Sequence, residues 1–347
     1  MKRLVISILL LFITIGTGTS QEERYLSNIK QLTFEGDNGE AYFSFDGKLL
    51  IYQSSRGYNC DKIWIMNIDG TDKRMVSPSR GAHTCAFFFP DGKRIIFSST
   101  YHLEGECPEQ EVPKGKRYVW PLYPYDIYVA DVDGKNLRRL TENPEYDAEA
   151  VVSPDGKYIL FTSKRNGDMD IYIMKSDGTE LRRLTDRFGY DGGAWFSPDG
   201  KKIVWRAWYP ETEEEIALWR DCMKNNYIVP LPLDLWVMDA DGSNKKRILH
   251  NGATNWAPSW SPDGKRIIFS SNMDDWREDL KQYGHNFELY IINSDGTGLK
   301  RITYNNVFDS FPMFSPDGKK LVFASNRNPQ KPRQTDIFIA DWIEPEQ

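Results

Sequence analysis

The side chains with the most obvious capacity for chemistry belong to four histidines and four cysteines. Among them, His83, Cys85, His102 and Cys107 lie close together in the sequence, and two histidines with two cysteines can hold zinc. Their spacing matches no zinc motif, and an exported chain favours a disulfide between two of Cys60, Cys85 and Cys107. Buried free thiols are a third interpretation. We predict a disulfide whose pairing stays open, no cofactor and no metal site, with His83 and His102 as weak metal candidates.

A second group of candidates lies where one predicted repeat unit crosses into the next. Carboxylates that converge at such a crossing can bind a cation, a sugar or a peptide amine. They can also cap backbone amides at the start of a strand, which is a structural role. Both interpretations stay open for these residues. They are Asp147, Glu149, Asp191, Asn255, Trp256 and Asp309.

Arginines recur at the ends of the predicted second strands, and acidic residues open most of the third strands. We interpret the two as a repeated structural ion pair. The arginines are Arg56, Arg165, Arg206 and Arg327, and the acidic residues are Asp126, Asp170, Asp234, Glu288 and Asp336. Arg206 differs from the others because it lies beneath the longest predicted insertion. We therefore treat Arg206 as a candidate for ligand binding, together with His83, His102, Trp120 and Trp219.

The sequence contains no motif for a catalytic nucleophile. It has no Gly-x-Ser-x-Gly elbow, no phosphate loop and no HExxH motif. The formal net charge of −6, with both signs interspersed, does not indicate a nucleic-acid surface. Binding is therefore the leading hypothesis, and whether the protein is an enzyme stays open. The alternative is a metal-assisted carbohydrate lyase or hydrolase that uses His83, His102 and nearby carboxylates such as Glu149.

One short phrase organises the elements that must position these residues. It reads SPDGKYILF from Ser153 and recurs, with variation, in six copies. Proline, aspartate and glycine favour a tight turn, and the apolar residues on both sides predict a β-hairpin. A second hairpin with an Asp-Gly turn follows most copies. The other copies begin at Ser44, Phe89, Ser197, Ser261 and Ser315.

Six repeats of two hairpins predict an all-β fold, a six-bladed β-propeller of four-stranded antiparallel blades. The last repeat lacks its fourth strand, and residues 28–33 near the start have the pattern of that strand. We expect this N-terminal strand to complete the last blade and close the ring, which removes an exposed sheet edge.

Three blades carry insertions, all between the second and third strands and therefore on one face. The insertion at about 101–125 is rich in proline and aromatic residues, which predicts an ordered loop in which Tyr118, Trp120, Tyr123 and Tyr125 pack down. The insertion at about 207–233 predicts a helix over about 211–225. For the insertion at about 273–287 we expect a shorter helix that ends before Gly284. Insertions that collect on one face are typical of a binding face.

The first twenty residues have the pattern of a secretory leader. A positive start is followed by an apolar run of about a dozen residues and by small residues up to Ser20. We expect residues 1–20 to be removed and residues 21–347 to form one propeller domain. No other apolar run is long enough to cross a membrane.

The ordered copies of the repeat resemble the six-bladed propeller of the TolB family, with its WD-like repeats, over roughly residues 26–343. That resemblance implies a periplasmic partner in an envelope complex, although we expect no α/β domain before the propeller here. The oligogalacturonate lyases, a similar family, use this fold with a metal held by histidines. We predict a monomeric protein, periplasmic or secreted, that binds an envelope protein or a glycan on its insertion-bearing face, with no nucleic-acid partner and no stable membrane insertion.

Overall fold

The computed structural model describes residues 23–109 and 119–344. These residues form six four-stranded antiparallel sheets, which are the blades of a closed ring. The first strand of each blade contacts the first strands of both neighbouring blades, so these six strands surround a central channel. The predicted six-bladed propeller is therefore confirmed. The predicted leader and Tyr118 lie outside the described residues.

The chain enters the ring through β1 (Leu26–Gln31) and then builds the blades in order. The first blade contains β2 (Asn38–Phe43), β3 (Leu49–Ser54), β4 (Lys62–Asn67) and β5 (Arg74–Met75). The second contains β6 (His83–Phe88), β7 (Arg94–Ser99), the short insertion strand β8 (Trp120–Pro121), β9 (Asp126–Asp131) and β10 (Arg138–Arg139). The third contains β11 (Asp147–Val152), β12 (Tyr158–Ser163), β13 (Asp170–Lys175) and β14 (Arg182–Arg183).

The last three blades follow the same order. The fourth contains β15 (Tyr190–Phe196), β16 (Lys202–Trp208), the insertion elements α1 (Glu213–Lys224) and β17 (Tyr227–Ile228), then β18 (Asp234–Asp239) and β19 (Lys246–Leu249). The fifth contains β20 (Asn255–Trp260), β21 (Arg266–Ser271), the insertion strands β22 (Trp276–Arg277) and β23 (Gln282–Tyr283), then β24 (Glu288–Asn293) and β25 (Lys300–Arg301). The sixth contains β26 (Asp309–Phe314), β27 (Lys320–Ser325) and β28 (Asp336–Trp342).

The N-terminal strand closes the ring, as the sequence predicts. Strand β1 pairs antiparallel with β28, with Leu26 opposite Trp342 and Gln31 opposite Phe338. Leu32, directly after β1, is buried among residues of the first and sixth blades. Closure therefore joins the two ends of the described chain in one sheet.

The repeated phrase forms the turn between the first two strands of each blade. In the third blade, Ser153 donates a hydrogen bond to the Asp155 carboxylate at 2.7 Å and accepts one from the Tyr158 N–H at 2.9 Å. Gly156 adopts a φ of 74°, which glycine adopts without a steric cost. These turns and the Asp-Gly turns share the face opposite the insertions. We call it the turn face, and the other the insertion-bearing face.

The insertion of the fourth blade contains the predicted helix. Thr212 accepts a hydrogen bond from the Glu215 N–H, and the Glu215 carboxylate accepts one from the Thr212 N–H, which together form a capping box. Trp219, Cys222 and Met223 form the buried side of α1. The insertion of the second blade joins it, because β8 pairs with β17.

The helix predicted for the fifth blade is wrong, because β22 and β23 form a hairpin there. Lys281 in its turn has a φ of 51°, a left-handed conformation that ends a right-handed helix. Trp276 packs edge-on against Tyr283 across the hairpin, with ring centroids 5.0 Å apart. The Gly284 N–H donates to the Asp275 carbonyl at 2.7 Å, so the base of the hairpin is also fixed.

The predicted ion pairs also differ from those in the structure. Arg165, at the end of a second strand, pairs with Asp147 at the start of the first strand of its own blade, with 2.7 Å between nitrogen and oxygen. Asp170, which opens the third strand, pairs instead with Arg183 of the fourth strand at 2.6 Å. The sequence indicates the charged positions correctly but assigns the wrong partners. Ser163 at the end of the second strand lies opposite both Asp147 and Asp170, and Arg165 pairs with the first of these carboxylates.

Candidate functional site

Each innermost strand contains a β-bulge that places one residue in the left-handed region. In the third blade the register shifts between Ala148 and Val151, and Glu149 has a φ of 59°. The bulge recurs at the same register in all six blades, so its residues form a ring around the channel. These channel-ring residues are Glu40, Cys85, Glu149, Gly193, Ala257 and Phe311.

Aromatic side chains fill the channel two residues further along the innermost strands. Tyr42 lies 4.9 Å from Trp195 across the ring, and Phe87 lies 5.0 Å from Trp195, between ring centroids. Tyr42 and Phe87 are themselves 6.2 Å apart. These three rings form an aromatic floor, which closes the channel toward the turn face. The channel-ring residues therefore line a pocket that opens toward the insertion-bearing face.

Arg206 occupies the place that a side chain of the fourth blade would take in the channel ring. A Cβ on Gly193 would lie 1.9 Å from the Arg206 Nη1 atom, so only glycine leaves room for the guanidinium. Arg206 pairs with Glu149 of the neighbouring blade and donates to the Tyr190 hydroxyl from Nε at 3.1 Å. Glu149 also accepts hydrogen bonds from Thr162 and from the Gly193 N–H.

Of the two predicted tryptophans at the mouth, Trp256 stacks on this guanidinium and Trp120 stacks on Trp256. The Arg206 guanidinium lies 3.7 Å from the centroid of the Trp256 ring. Trp256 stacks on Trp120 of the second blade's insertion, with ring centroids 5.5 Å apart and an interplanar angle of 14°. The structure thus brings together four of the predicted candidates, Trp120, Glu149, Arg206 and Trp256. The insertion of the second blade takes part in the pocket through Trp120.

The opposite wall of the pocket contains Glu40, which the sequence analysis did not single out. Burial raises the pKa of Glu40 to about 7, and the nearby Glu149 carboxylate adds to the shift, whereas Arg206 and a hydrogen bond with the Cys85 thiol oppose it. Burial likewise raises the pKa of Asp61 to about 7. Burial and the Glu40 carboxylate also raise the pKa of the Cys85 thiol, which favours its protonated form.

Five other predicted residues occupy one repeated structural position. Each lies at the start of an innermost strand, fully buried and opposite the end of the second strand of its blade. Asp147, for example, accepts hydrogen bonds from Asn143 and Ser163. Internal hydrogen bonds hold these side chains away from any ligand on the surface. The five are His83, Asp147, Asp191, Asn255 and Asp309.

Asp191 is the most perturbed of these carboxylates. Trp205 Nε1 and the Tyr209 hydroxyl both donate to one carboxylate oxygen, at 2.6 and 2.7 Å. The other oxygen has no hydrogen-bond partner in the described structure. Burial raises the pKa of Asp191 to about 7, and these two hydrogen bonds lower it by less.

The structure gives His83, His102 and Trp219 the following surroundings. The His83 ring is buried, with Nε2 3.0 Å from the carbonyl oxygens of Pro78 and Arg80. His102 Nδ1 lies 3.5 Å from Asp126. Trp219 is fully buried and donates from Nε1 to Asp168 at 2.7 Å, so it belongs to the core beneath α1. Within residues 23–109 and 119–344, no three His, Cys, Asp or Glu side chains form a group that could hold a metal ion.

The structure places one disulfide on the insertion-bearing face. It joins Cys60 to Cys107, which ties the loop of the first blade to the insertion of the second. Cys85 is not part of it and belongs to the channel ring. The buried Lys62 amine lies 3.2 Å from the Cys60 sulfur and donates to the Gly81 carbonyl.

Sequence reasoning missed Glu40, Gly193 and the role of Cys85. A signal was available, because Glu40 and Cys85 are each the third residue of an innermost strand, as Glu149 is, and Gly193 lies at the same bulge as the fourth residue of β15. Alternation of inward and outward residues hides that signal, since a bulge shifts the pattern by one residue.

Comparison with known proteins agrees with this architecture. A family model described as the TolB beta propeller domain matches residues 113–225. A putative TolB from Agrobacterium tumefaciens superimposes with a TM-score of 0.57 at 20% identity, covering 89% of this chain and 91% of that one. The chain is a TolB-like β-propeller.

Other relatives of this TolB-like propeller are more distant or only partly aligned. The Tol-Pal system protein TolB of Francisella tularensis is 33% identical over 107 residues, which are 30% of this chain and 22% of that protein. The chain thus spans about a quarter of the length of the curated relatives it matches. An oligogalacturonate lyase in complex with manganese superimposes with a TM-score of 0.52 at 12% identity, covering 91% of this chain and 93% of that one, which shows a shared fold. Among the described residues, no helix is long and apolar enough to cross a bilayer.

Proposed function

We propose that this propeller is an exported binding module that takes an envelope protein on its insertion-bearing face, with a glycan as the alternative ligand. The observation that carries the proposal is the hairpin of the fifth blade. It presents Trp276 and Leu280 to solvent at 47% and 55% exposure, on the face where the channel opens. Exposed tryptophan and leucine beside a rim of charged residues are typical of a protein contact surface.

Two further observations support export and a protein partner. The leader pattern over residues 1–20 agrees with a disulfide between Cys60 and Cys107, because disulfides persist in oxidising compartments such as the periplasm. The name of the Francisella relative, a Tol-Pal system protein, places that protein in an envelope system. We extend this setting to the present chain as part of the proposal.

The carbohydrate lyase has less support. Its two candidate histidine ligands make different internal contacts. His83 is buried against two carbonyl oxygens, whereas the His102 ring stacks on Tyr128. The likeness to the lyase of known structure shows a shared fold alone. Binding through the exposed hairpin is therefore the function that the geometry supports best.

The test compares two exposed apolar surfaces of the same protein. We expect the double variant Trp276→Ala, Leu280→Ala to lose at least about tenfold in affinity for envelope proteins captured on the immobilised chain, because buried tryptophans dominate interface energies. The control is Leu299→Ala, which changes a residue of 42% exposure on the turn face. Equal affinities of the two variants, measured by surface plasmon resonance, would contradict the proposal.

A further inference from the structure

We propose that the channel pocket binds a primary ammonium group carried next to a carbonyl oxygen, as at the amino terminus of a peptide. The inference rests on the proposed function and names the group that this face recognises at its centre. Two features carry it. Within residues 23–109 and 119–344, one is Arg206 Nη1, which makes no hydrogen bond, and the other is the Glu40 carboxylate, which forms no ion pair.

The pocket has one opening. The aromatic floor of Tyr42, Phe87 and Trp195 closes it toward the turn face. The channel ring lines it with different chemistry on its two sides. Glu40, Cys85 and Glu149 follow one another on the first three blades, whereas the fifth and sixth blades contribute apolar side chains. A guest group that enters therefore meets a polar wall and an apolar wall at the same depth.

The Arg206 donor is preorganised. Its side chain is 4% exposed, and Nε and Nη2 are used by the Tyr190 hydroxyl and Glu149. Within the described residues, Nη1 makes no hydrogen bond. It lies 1.9 Å from the place that a Cβ on Gly193 would take, so it occupies the position of a side chain in the channel ring. Because Glu149 already balances the charge of Arg206, Nη1 suits a neutral acceptor such as a carbonyl oxygen.

The Glu40 carboxylate supplies the complementary acceptor. In the part of the chain that the structure describes, no lysine, arginine or histidine forms an ion pair with it. Glu149 and Asp61 add negative charge nearby, which Arg206 offsets in part. A buried carboxylate without a counter-cation is costly, so a cationic guest lowers the free energy of the pocket. Burial raises the pKa of the Tyr125 hydroxyl, and Asp61, Cys85 and Glu40 add to that shift.

Arg206 Nη1 and the Glu40 carboxylate together favour a small set of chemical groups on a ligand. An ammonium group at Glu40 with an acceptor at Arg206 Nη1 matches an α-amino group and the carbonyl of its own residue. A carboxylate ligand is disfavoured, because it would add charge beside Glu40 and Glu149. Acetylation turns the ammonium group into a neutral amide, which cannot compensate the charge of Glu40.

The experiment uses the full mature chain and isothermal titration with the dipeptide amide Gly-Gly-NH2. We expect its N-acetyl form to bind at least about tenfold more weakly. We expect Glu40→Gln to weaken binding of the free amine by a similar factor, because the amide keeps the shape and removes the charge. The control is Glu104→Gln, an exposed glutamate in the second blade's insertion on the same face.

Each outcome decides the inference. Equal binding of the free and acetylated forms overturns it, and so does binding of glucosamine with no binding of the dipeptide, which would indicate an amino sugar. Thermal unfolding shows whether Glu40→Gln is folded, and we expect a midpoint at or above that of the wild type. If Glu40→Gln leaves binding of both the dipeptide and the envelope partners intact while the Trp276 variant loses the partners, this inference fails and the proposed function stands.

Discussion

At the scale of single residues, buried carboxylates that form no ion pair within the described residues affect how stability depends on pH. Asp191 is fully buried, accepts two hydrogen bonds on one oxygen and has none on the other within the described structure. It contrasts with Asp155 on the turn face, where hydrogen bonds from Ser153 and the Lys157 N–H lower the pKa. The two carboxyl groups therefore influence stability in opposite directions as the pH changes.

The pKa of Asp191 leads to a pH-dependent prediction. Because that pKa is raised from 3.8 to about 7 on folding, the folded protein binds more protons than the unfolded chain between these values. The Asp191 contribution to stability is therefore complete below about pH 4 and is lost as the pH rises through 7. Asp191→Asn keeps the acceptor oxygen but cannot ionise. We therefore expect its free energy of unfolding, relative to that of the wild type, to increase by up to about 1.4 kcal/mol for each pH unit between about pH 4 and 7.

Urea unfolding at several pH values between 4 and 8 measures this difference. The control is Asp155→Asn, for which we expect no such gain, because the pKa of Asp155 is lowered in the folded protein. A stability curve of Asp191→Asn that runs parallel to that of the wild type would show that Asp191 does not titrate in this range.

At the starts of the innermost strands, the type of residue alone did not show whether its role is structural or ligand-binding. His83 is a plausible metal ligand when it is considered alone, yet it fills the same register position as Asp147, Asn255 and Asp309. Pairing between strands defines that position, and the sequence specifies the pairing only through the repeat. Comparing equivalent positions across blades identifies the architectural role, and it also shows Glu40 and Gly193 as members of the channel ring.

At the scale of elements, α1 was predictable and the hairpin of the fifth blade was not. The helix has three glutamates in its first turn, a capping box and a buried side formed by Trp219, Cys222 and Met223. Its signals are local and agree with each other. The hairpin depends on contact between Trp276 and Tyr283 and on the left-handed turn at Lys281, which no periodicity in the sequence reveals.

The cap of α1 gives the prediction for this scale. We expect Thr212→Ala to destabilise the helix by about 1 kcal/mol, because it removes the acceptor for the Glu215 N–H. Hydrogen exchange of the amides in Glu213–Lys224 should become about fivefold faster. The control is Glu214→Gln, an exposed residue in the same turn, for which we expect only a few tenths of a kcal/mol. Equal exchange in both variants would show that the cap does not limit opening of the helix.

At the scale of the whole molecule, we expect stability to depend on closure of the ring. The repeat and the missing strand of the last blade were sufficient to predict the fold and the closing strand, because both follow from counting hairpins. The depth of the pocket was not predictable, since the aromatic floor joins Tyr42, Phe87 and Trp195 from three different blades. Contacts between blades depend on the geometry of the whole ring.

Closure can be tested at Leu32, which is 1% exposed and packs between the first and sixth blades. We expect Leu32→Ala to lower the free energy of unfolding by about 3 kcal/mol, because it leaves a cavity at the seam of the ring. Ile29→Ala is the control, since Ile29 lies in β1 itself with 36% exposure, and we expect a change within about 0.5 kcal/mol. Similar losses in urea unfolding for both variants would contradict a special role for the seam.

The aromatic floor has a consequence for the rates of ligand exchange. A molecule in the pocket enters and leaves through the same opening, because the rings of Tyr42, Phe87 and Trp195 block passage to the turn face. Trp120, held on the fourth blade's insertion by the pairing of β8 with β17, stands at that opening. Because Trp120 stands at this opening, we expect variants that loosen the β8–β17 pair to change the association and dissociation rates together and to leave the equilibrium affinity almost constant.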